Sequence, residues 1–216
     1  MKTPTQLIVL AYTKFGESSV VLHTLSREYG RRSFLVKIGK RTTMSLFLPL
    51  NILEATVVEN PKSTLWKAYS FSSTNTLIGI RNNMRKNSIT MFMSEVLYRT
   101  VKDGEKEEGF FDWCLSQILL LDALEGNYSN FHINFLLELS GALGFSPTVE
   151  GIAPFVRDNF AKVKEFMQSD FPSAMLIPLT GEERNAICEE VLSYLEYHTE
   201  SRINVRSLGV LKELYR

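Results

Sequence analysis

The sequence predicts an α+β chain of two domains, a five-stranded β-barrel in residues 1–80 followed by an α-helical bundle in residues 81–216. Apolar residues recur with a period of two before residue 80 and with a helical period after residue 86. The 216 residues are enough for two small cores, and the contents of 44% hydrophobic and 22% charged residues are typical of a globular protein. The change of period places the predicted domain boundary.

Alternating β-branched and aromatic residues predict five short strands in the first part, at residues 6–15, 19–26, 31–41, 51–59 and 64–72. Turn signals separate these strands, and Gly30 is suited to a position with positive φ. Five short antiparallel strands indicate a small closed barrel. The oligonucleotide-binding (OB) fold is the commonest five-stranded kind.

About six helices are predicted after the barrel, at residues 88–102, 110–125, 129–145, 155–167, 180–199 and 204–215. Thr180 and Glu183 have the spacing of a capping box, which marks the start of a helix. These helices are too apolar to be stable alone, so we expect them to pack into one bundle.

Charge is distributed unevenly along a chain that is neutral as a whole. Residues 1–86 contain 13 Lys and Arg against 4 Asp and Glu, a formal charge of +9, whereas residues 87–216 carry −9. Such an asymmetry favours a polyanion-binding N-terminal part followed by an acidic remainder.

The third predicted strand concentrates this positive charge. Alternation places Phe34, Val36 and Ile38 in the barrel and Arg31, Lys37 and Arg41 on its outside. Arg32 and Lys40 have core parity but lie at the strand ends, where they can reach solvent. A flexible basic loop is expected to follow at residues 41–50 and to track a phosphate backbone. The candidate phosphate contacts are Arg31, Arg32, Lys37, Lys40, Arg41, Lys14 and Lys67.

Most aromatic residues of the barrel are expected in its core, so the sequence favours phosphate contact over base recognition. Motifs for catalysis or nucleotide binding do not occur, and we expect no enzyme and no cofactor. Cys114 and Cys188 lie in apolar helical patterns typical of buried free thiols. The histidines are too far apart to suggest a metal site. No apolar run reaches the length of a membrane span and no signal peptide is expected, which favours a cytoplasmic protein.

The stretch GESSVVLHTLSREYGRRSFLVKIGKR (16–41) resembles the N-terminal signature of RecO, a family of bacterial recombination mediators. Gly16-Glu17 matches the family's turn, Thr24 to Gly30 its hairpin, and Lys37 to Arg41 its basic loop. The likeness continues in FLPLNILEATV, in FHINFLLELSGALGFSPTVE and in the closing VRSLGVLKEL. The matching stretches are collinear over nearly the whole chain.

This resemblance implies an OB domain, a helical domain and binding to single- and double-stranded DNA. It implies annealing of complementary strands and action with RecR on DNA coated by single-stranded-DNA-binding protein, through that protein's C-terminal tail, so that RecA can load. The family's DNA face maps onto Arg31, Arg32, Lys37, Lys40 and Arg41. Many relatives carry a four-cysteine zinc site in the C-terminal region, but this chain has only Cys188 there, so no metal is expected. Residues 150–179 also depart from the family pattern.

The residues by themselves leave two other functions open. A basic barrel face could bind the acidic peptide of a protein partner, which would make the chain an interaction scaffold. The same face could bind RNA through the OB fold.

Overall fold

A computed structural model describes residues 2–40 and 42–215. The chain forms two compact units. The barrel unit runs up to Ile78 and includes Val101–Leu119, and the helical unit combines Gly79–Thr100 with the chain from Leu120 onward. Residues 101–119 thus join the barrel unit although they follow residue 80 in the sequence. The division into domains at residue 80 stays a prediction.

The barrel unit confirms the expected five-stranded barrel, closed in the order β1-β2-β3-β5-β4. The β3–β5 pairing is parallel and the other pairings are antiparallel, so the expectation of antiparallel strands throughout was wrong. An odd number of strands with alternating direction leaves one parallel junction when the sheet closes. The strands are β1 (Lys2–Phe15), β2 (Ser19–Ser26), β3 (Gly30–Lys37), β4 (Ile52–Val58) and β5 (Leu65–Ser73).

Strand alternation builds the barrel core as predicted. Phe34 and Val36 are buried within it, and Ile38 packs against it while partly exposed. The expected flexible loop after β3 instead contains a 3-10 helix at Met44–Phe47, and this helix places Phe47 in the core. The side chain of Asn51 donates hydrogen bonds to the carbonyls of Ser45 and Leu46, which anchors the segment.

The helices differ from the prediction mainly in the middle of the helical region. The helix expected at residues 155–167 is present but begins later, at Phe160, because residues 155 and 156 end a separate helix that Thr148 caps. The capping box of Thr180 and Glu183 is confirmed. The helices are α1 (Ile78–Arg81), α2 (Met84–Thr100), α3 (Phe110–Ala123), α4 (Phe131–Ala142), α5 (Val149–Val156), α6 (Phe160–Gln168), α7 (Phe171–Leu176), α8 (Gly181–Thr199) and α9 (Ser207–Leu214).

Polar groups are buried in the helical unit beside its apolar core. Arg184 donates from Nε to the Asn130 side chain, 3.1 Å away, and the Asn130 amide group donates to the carbonyls of Ala174 and Ile177. His132 is buried against Phe92, with ring centroids 5.9 Å apart. Desolvation, with a smaller contribution from the charge of Arg184, lowers the pKa of His132 to about 3. This imidazole is therefore neutral in the folded protein at physiological pH.

Cys114 and Cys188 are buried free thiols, as the sequence predicted. Burial raises the pKa of both thiols, so they stay protonated. Across residues 2–40 and 42–215, no helix has the length and apolar character that crossing a membrane requires. The same residues contain no group of three or more His, Cys, Asp or Glu side chains that could hold a metal ion.

We predict that Gly30→Ala destabilises the protein by about 2–4 kcal/mol. Gly30 has φ of +65°, and a Cβ atom there would lie 1.8 Å from the carbonyl oxygen of Glu105. Gly16→Ala is the matched control, because Gly16 has φ of +69° but nothing within 4 Å of the added atom. It should cost only about 1 kcal/mol of backbone strain. Chemical denaturation measures both, and equal losses would contradict a steric role for Glu105.

We predict that His132 makes stability depend on pH. The unfolded chain binds a proton at this imidazole below a pH near 6.5, whereas the folded chain does so only near 3. Its contribution to stability is therefore complete above 6.5 and is lost as the pH falls, by about 2 kcal/mol between 6.5 and 5. Comparing denaturation of the protein with that of His132→Phe over this range isolates the contribution. If the free energy of unfolding of the two proteins changes with pH in the same way, His132 makes no such contribution.

Candidate nucleic-acid interface

The start of β3 is held by the segment that follows α2. The backbone N–H of Arg31 donates to Glu105 over 3.1 Å, and the N–H of Gly104 donates back to the Arg31 carbonyl over 2.9 Å. The Arg31 guanidinium also donates from Nη1 to the carbonyl of Val101. Arg31 therefore has the outward parity that the sequence predicted, but its side chain is half-buried and takes part in the fold.

The segment of the barrel unit at residues 101–119 is rich in acidic side chains. Residues 101–119 carry five acidic side chains and two lysines. Asp112 forms a 2.7 Å ion pair with Arg27, whose guanidinium also lies 4.6 Å from the centre of the Phe111 ring. By sequence count the barrel unit holds 12 Lys and Arg against 9 Asp and Glu, a surplus of +3 rather than +9. The segment thus offsets positive charge at the Arg31 end of the barrel.

Three basic residues at the end of the basic half belong to the helical unit instead: Arg81, Arg85 and Lys86. Lys86 is buried, and its ammonium group donates to the carbonyl of Asp122 over 2.9 Å. Desolvation lowers its pKa, and the charges of Asp122 and Glu125 oppose that shift. These residues add nothing to the charge of the barrel unit.

His23 connects three strands on the outer face of the barrel. Its Nδ1 lies 2.9 Å from the Ser33 hydroxyl on β3, and its Nε2 lies 3.2 Å from the Thr13 hydroxyl on β1. Burial, and then the charge of Arg31, lowers the pKa of His23, while Asp103 acts in the opposite direction. A neutral imidazole can donate at one nitrogen and accept at the other, which suits a bridge between two hydroxyls.

Arg32 lies at the mouth of the barrel, near the same end of β3 as Arg31. The Cζ atom of its guanidinium lies 4.7 Å from the centre of the Trp66 ring, and Trp66 and Tyr29 make a T-shaped contact. An open depression of about 400 Å³ is lined by Arg32, Trp66 and residues 60–64, including Lys62. Among the described residues, the buried Nε atom of Arg32 has no hydrogen-bond partner.

The other end of β3 brings together exposed lysines. Lys37 on β3 pairs with Ser19 on β2, and Lys14 on β1 pairs with the next residue of β2, Val20. The backbone N–H of Ile38 donates to the Ser18 carbonyl over 2.8 Å. These contacts place the turn after β3 beside the turn between β1 and β2. Lys67 pairs with Leu35 on the neighbouring strand β5. We call this group of exposed side chains the lysine patch: Lys14, Lys37, Lys40 and Lys67.

The predicted contacts therefore fall into two groups. Arg31 and Lys37 lie about 20 Å apart along β3, at about 3.3 Å per residue. Arg31 and Arg32 belong to the end that is packed against other residues, and the lysine patch forms the open end. Arg41 lies outside the described residues. The role of each of these residues in binding stays a prediction.

Two exposed aromatic rings and a further lysine adjoin the lysine patch. Phe15 pairs with Ser19 in the same register as Lys37, and Tyr69 follows Lys67 by two residues on β5. Phe15 is 56% exposed and Tyr69 is 38% exposed. The ammonium group of Lys2 lies 5.9 Å from the centre of the Tyr69 ring. The sequence did not single out Lys2, because only the pairing of β1 with β4 brings it beside β5.

A closed five-stranded barrel with exposed lysines at one end, joined to a helical unit, defines an OB-type protein with a C-terminal helical region. Two family models match in this order. The model described as Recombination protein O N terminal matches residues 1–75, and the one described as Recombination protein O C terminal matches residues 81–153.

Curated relatives agree over their full lengths. The DNA repair protein RecO of Phocaeicola vulgatus is 27% identical, over 96% of this chain and 97% of the relative. RecO of Flavobacterium psychrophilum is 26% identical over 100% of both chains, and RecO of Azobacteroides pseudotrichonymphae is 26% identical over 98% of both. The chain belongs to the RecO family of DNA repair proteins.

We predict that Arg31 and Lys37 affect different properties. Arg31→Ala should lower the free energy of unfolding by about 1.5–3 kcal/mol, because the Val101 carbonyl loses a charged donor. Lys37→Ala should change stability by less than about 0.5 kcal/mol, because the side chain is exposed. Denaturation of the two variants tests the assignment. A stable Arg31→Ala protein would show that the contact with Val101 contributes little.

Proposed function

We propose that this chain is a non-enzymatic mediator of recombination and repair that binds single- and double-stranded DNA through the lysine patch and anneals complementary strands. The observation that carries the proposal is the group of exposed lysines at one end of an OB-type barrel in a RecO-family chain. Lysine ammonium groups act as point charges toward phosphates and need no particular base sequence.

Annealing requires that two polyanionic strands approach each other. Cations spaced along the barrel surface neutralise phosphates and release counterions, which lowers the repulsion between strands bound to one protein. Lys37 and Lys67 lie on the outer face of the neighbouring strands β3 and β5, and Lys40 follows in the turn after β3. Lys14 has the opposite parity but is exposed near the end of β1, so it adds charge at the same end of the barrel. Neither a nucleotide nor a metal ion is needed for this process.

We further propose that the chain acts with RecR on DNA coated by single-stranded-DNA-binding protein, contacts that protein's C-terminal tail and assists the loading of RecA. Family membership and the full-length match to DNA repair proteins support this part of the proposal. The place of action would be the cytoplasm, at the chromosomal DNA.

We predict that the triple variant Lys37→Ala, Lys40→Ala and Lys67→Ala binds single-stranded DNA more weakly and anneals complementary oligonucleotides more slowly. If each lysine contacts one phosphate, the slope of log K against log salt should fall in magnitude by about 2. Fluorescence anisotropy over a salt series measures the slope, and fluorescence quenching between labelled complementary strands measures annealing.

The matched control is the triple variant Lys106→Ala, Lys162→Ala and Lys164→Ala, which removes the same charge elsewhere. If both variants lose the same affinity for DNA and the same annealing rate, the effect comes from net charge alone and the assignment of the lysine patch is wrong. Stronger competition by a short acidic peptide than by a polynucleotide would favour a protein-interaction scaffold. Tighter binding of RNA than of DNA of the same sequence would favour an RNA-binding protein.

A further inference from the structure

Phe15 and Tyr69 lie on the same outer face as Lys37 and Lys67. Directly paired residues of neighbouring strands point to the same side of a sheet, so Phe15, Ser19 and Lys37 form one row across β1, β2 and β3. Lys67 on β5 pairs with Leu35, which lies two residues before Lys37 on β3 and points to the same side. Tyr69 follows Lys67 by two residues, so it also points to that side. The inward neighbours of these two, Trp66 and Ala68, belong to the barrel core.

The two rings therefore flank lysines on a continuous strip of the barrel surface. Three strand intervals of about 4.8 Å separate β1 from β5 in the order β1-β2-β3-β5, which gives about 14 Å along the surface. We call this strip the aromatic–lysine strip: Phe15, Lys37, Lys67 and Tyr69. Lys2 keeps a further positive charge within reach of the Tyr69 ring.

Burial accounts for only part of the two aromatic side chains, since Phe15 is 56% exposed and Tyr69 is 38% exposed. Other aromatic residues of the barrel, such as Phe34 and Phe47, are fully buried, whereas Phe15 exposes more than half of its surface. The exposed part of each ring gains nothing from folding and is available to a ligand. The adjacent ammonium groups select a polyanion, and unpaired nucleic acid is the polyanion that also presents flat apolar faces.

We infer that Phe15 and Tyr69 stack on unpaired bases while Lys37 and Lys67 contact the adjoining phosphates. This inference rests on the proposed function and adds a substrate preference to it. Bases of a duplex are stacked on each other and cannot offer their faces to Phe15 or Tyr69, so the strip favours single-stranded over double-stranded DNA. The preference does not depend on base sequence, because every base has an aromatic face.

The test measures binding of Phe15→Ala and Tyr69→Ala to a single-stranded oligonucleotide, to a duplex, and to a strand of the same length in which abasic sites replace the central bases. Each variant should bind the single strand about 5- to 100-fold more weakly and the duplex nearly as well as the unchanged protein does. The salt slope should stay the same, because no phosphate contact is removed. On the abasic strand, the variants and the unchanged protein should bind alike.

Tyr12→Ala is the matched control. Tyr12 is 45% exposed on the same strand as Phe15, but it pairs with Leu22 and so has the opposite parity. An equal loss for Tyr12→Ala, an equal loss on the duplex and the single strand, or no loss for either strip variant would overturn the inference. These outcomes leave the proposed function standing if the lysine triple variant still shows weaker binding. An unchanged protein that does not bind DNA would instead refute the proposed function itself.

Discussion

The close approach of β3 to the segment after α2 determines how charge is distributed on the barrel unit. Gly30 allows it, because its backbone passes so near the Glu105 carbonyl that a Cβ atom would clash at 1.8 Å. Two reciprocal backbone hydrogen bonds between Arg31 and the residues Gly104 and Glu105 then hold the segment in place. Because this segment is rich in acidic side chains, the contact adds negative charge at one end of β3 and leaves the other end basic.

This polarity separates structural cations from those available to a ligand. Arg27 and Arg31 have partners within the barrel unit, and Arg32 lies over the Trp66 ring, so binding a phosphate there would compete with existing contacts. Lys37 and Lys67 are exposed and lie beside exposed aromatic rings. These two lysines therefore combine solvent-accessible charge with neighbouring exposed ring surface, a combination that the cations at the other end of β3 lack.

Much of the fold could be predicted because it follows from local periodicity. Alternation identified the strands and the inward faces of Phe34 and Val36, and the capping box of Thr180 marked the start of α8. The predictions failed where distant pairing or a local break decides the structure. The parallel β3–β5 junction follows from barrel closure. The helix expected from residue 155 begins only at Phe160, because a separate helix capped by Thr148 ends at Val156.

The sequence by itself determined a five-stranded barrel, a helical region, buried thiols and membership of the RecO family, because these depend on side-chain period, on composition and on collinear motifs. It also identified which residues of β3 point outward. Only the tertiary structure decided which outward cations stay exposed. Arg31 and Lys37 have the same parity in one strand, and what distinguishes them is a carbonyl 70 residues away along the chain, at Val101, that pairs with one and not the other. Periodicity within a strand carries no information about such a partner.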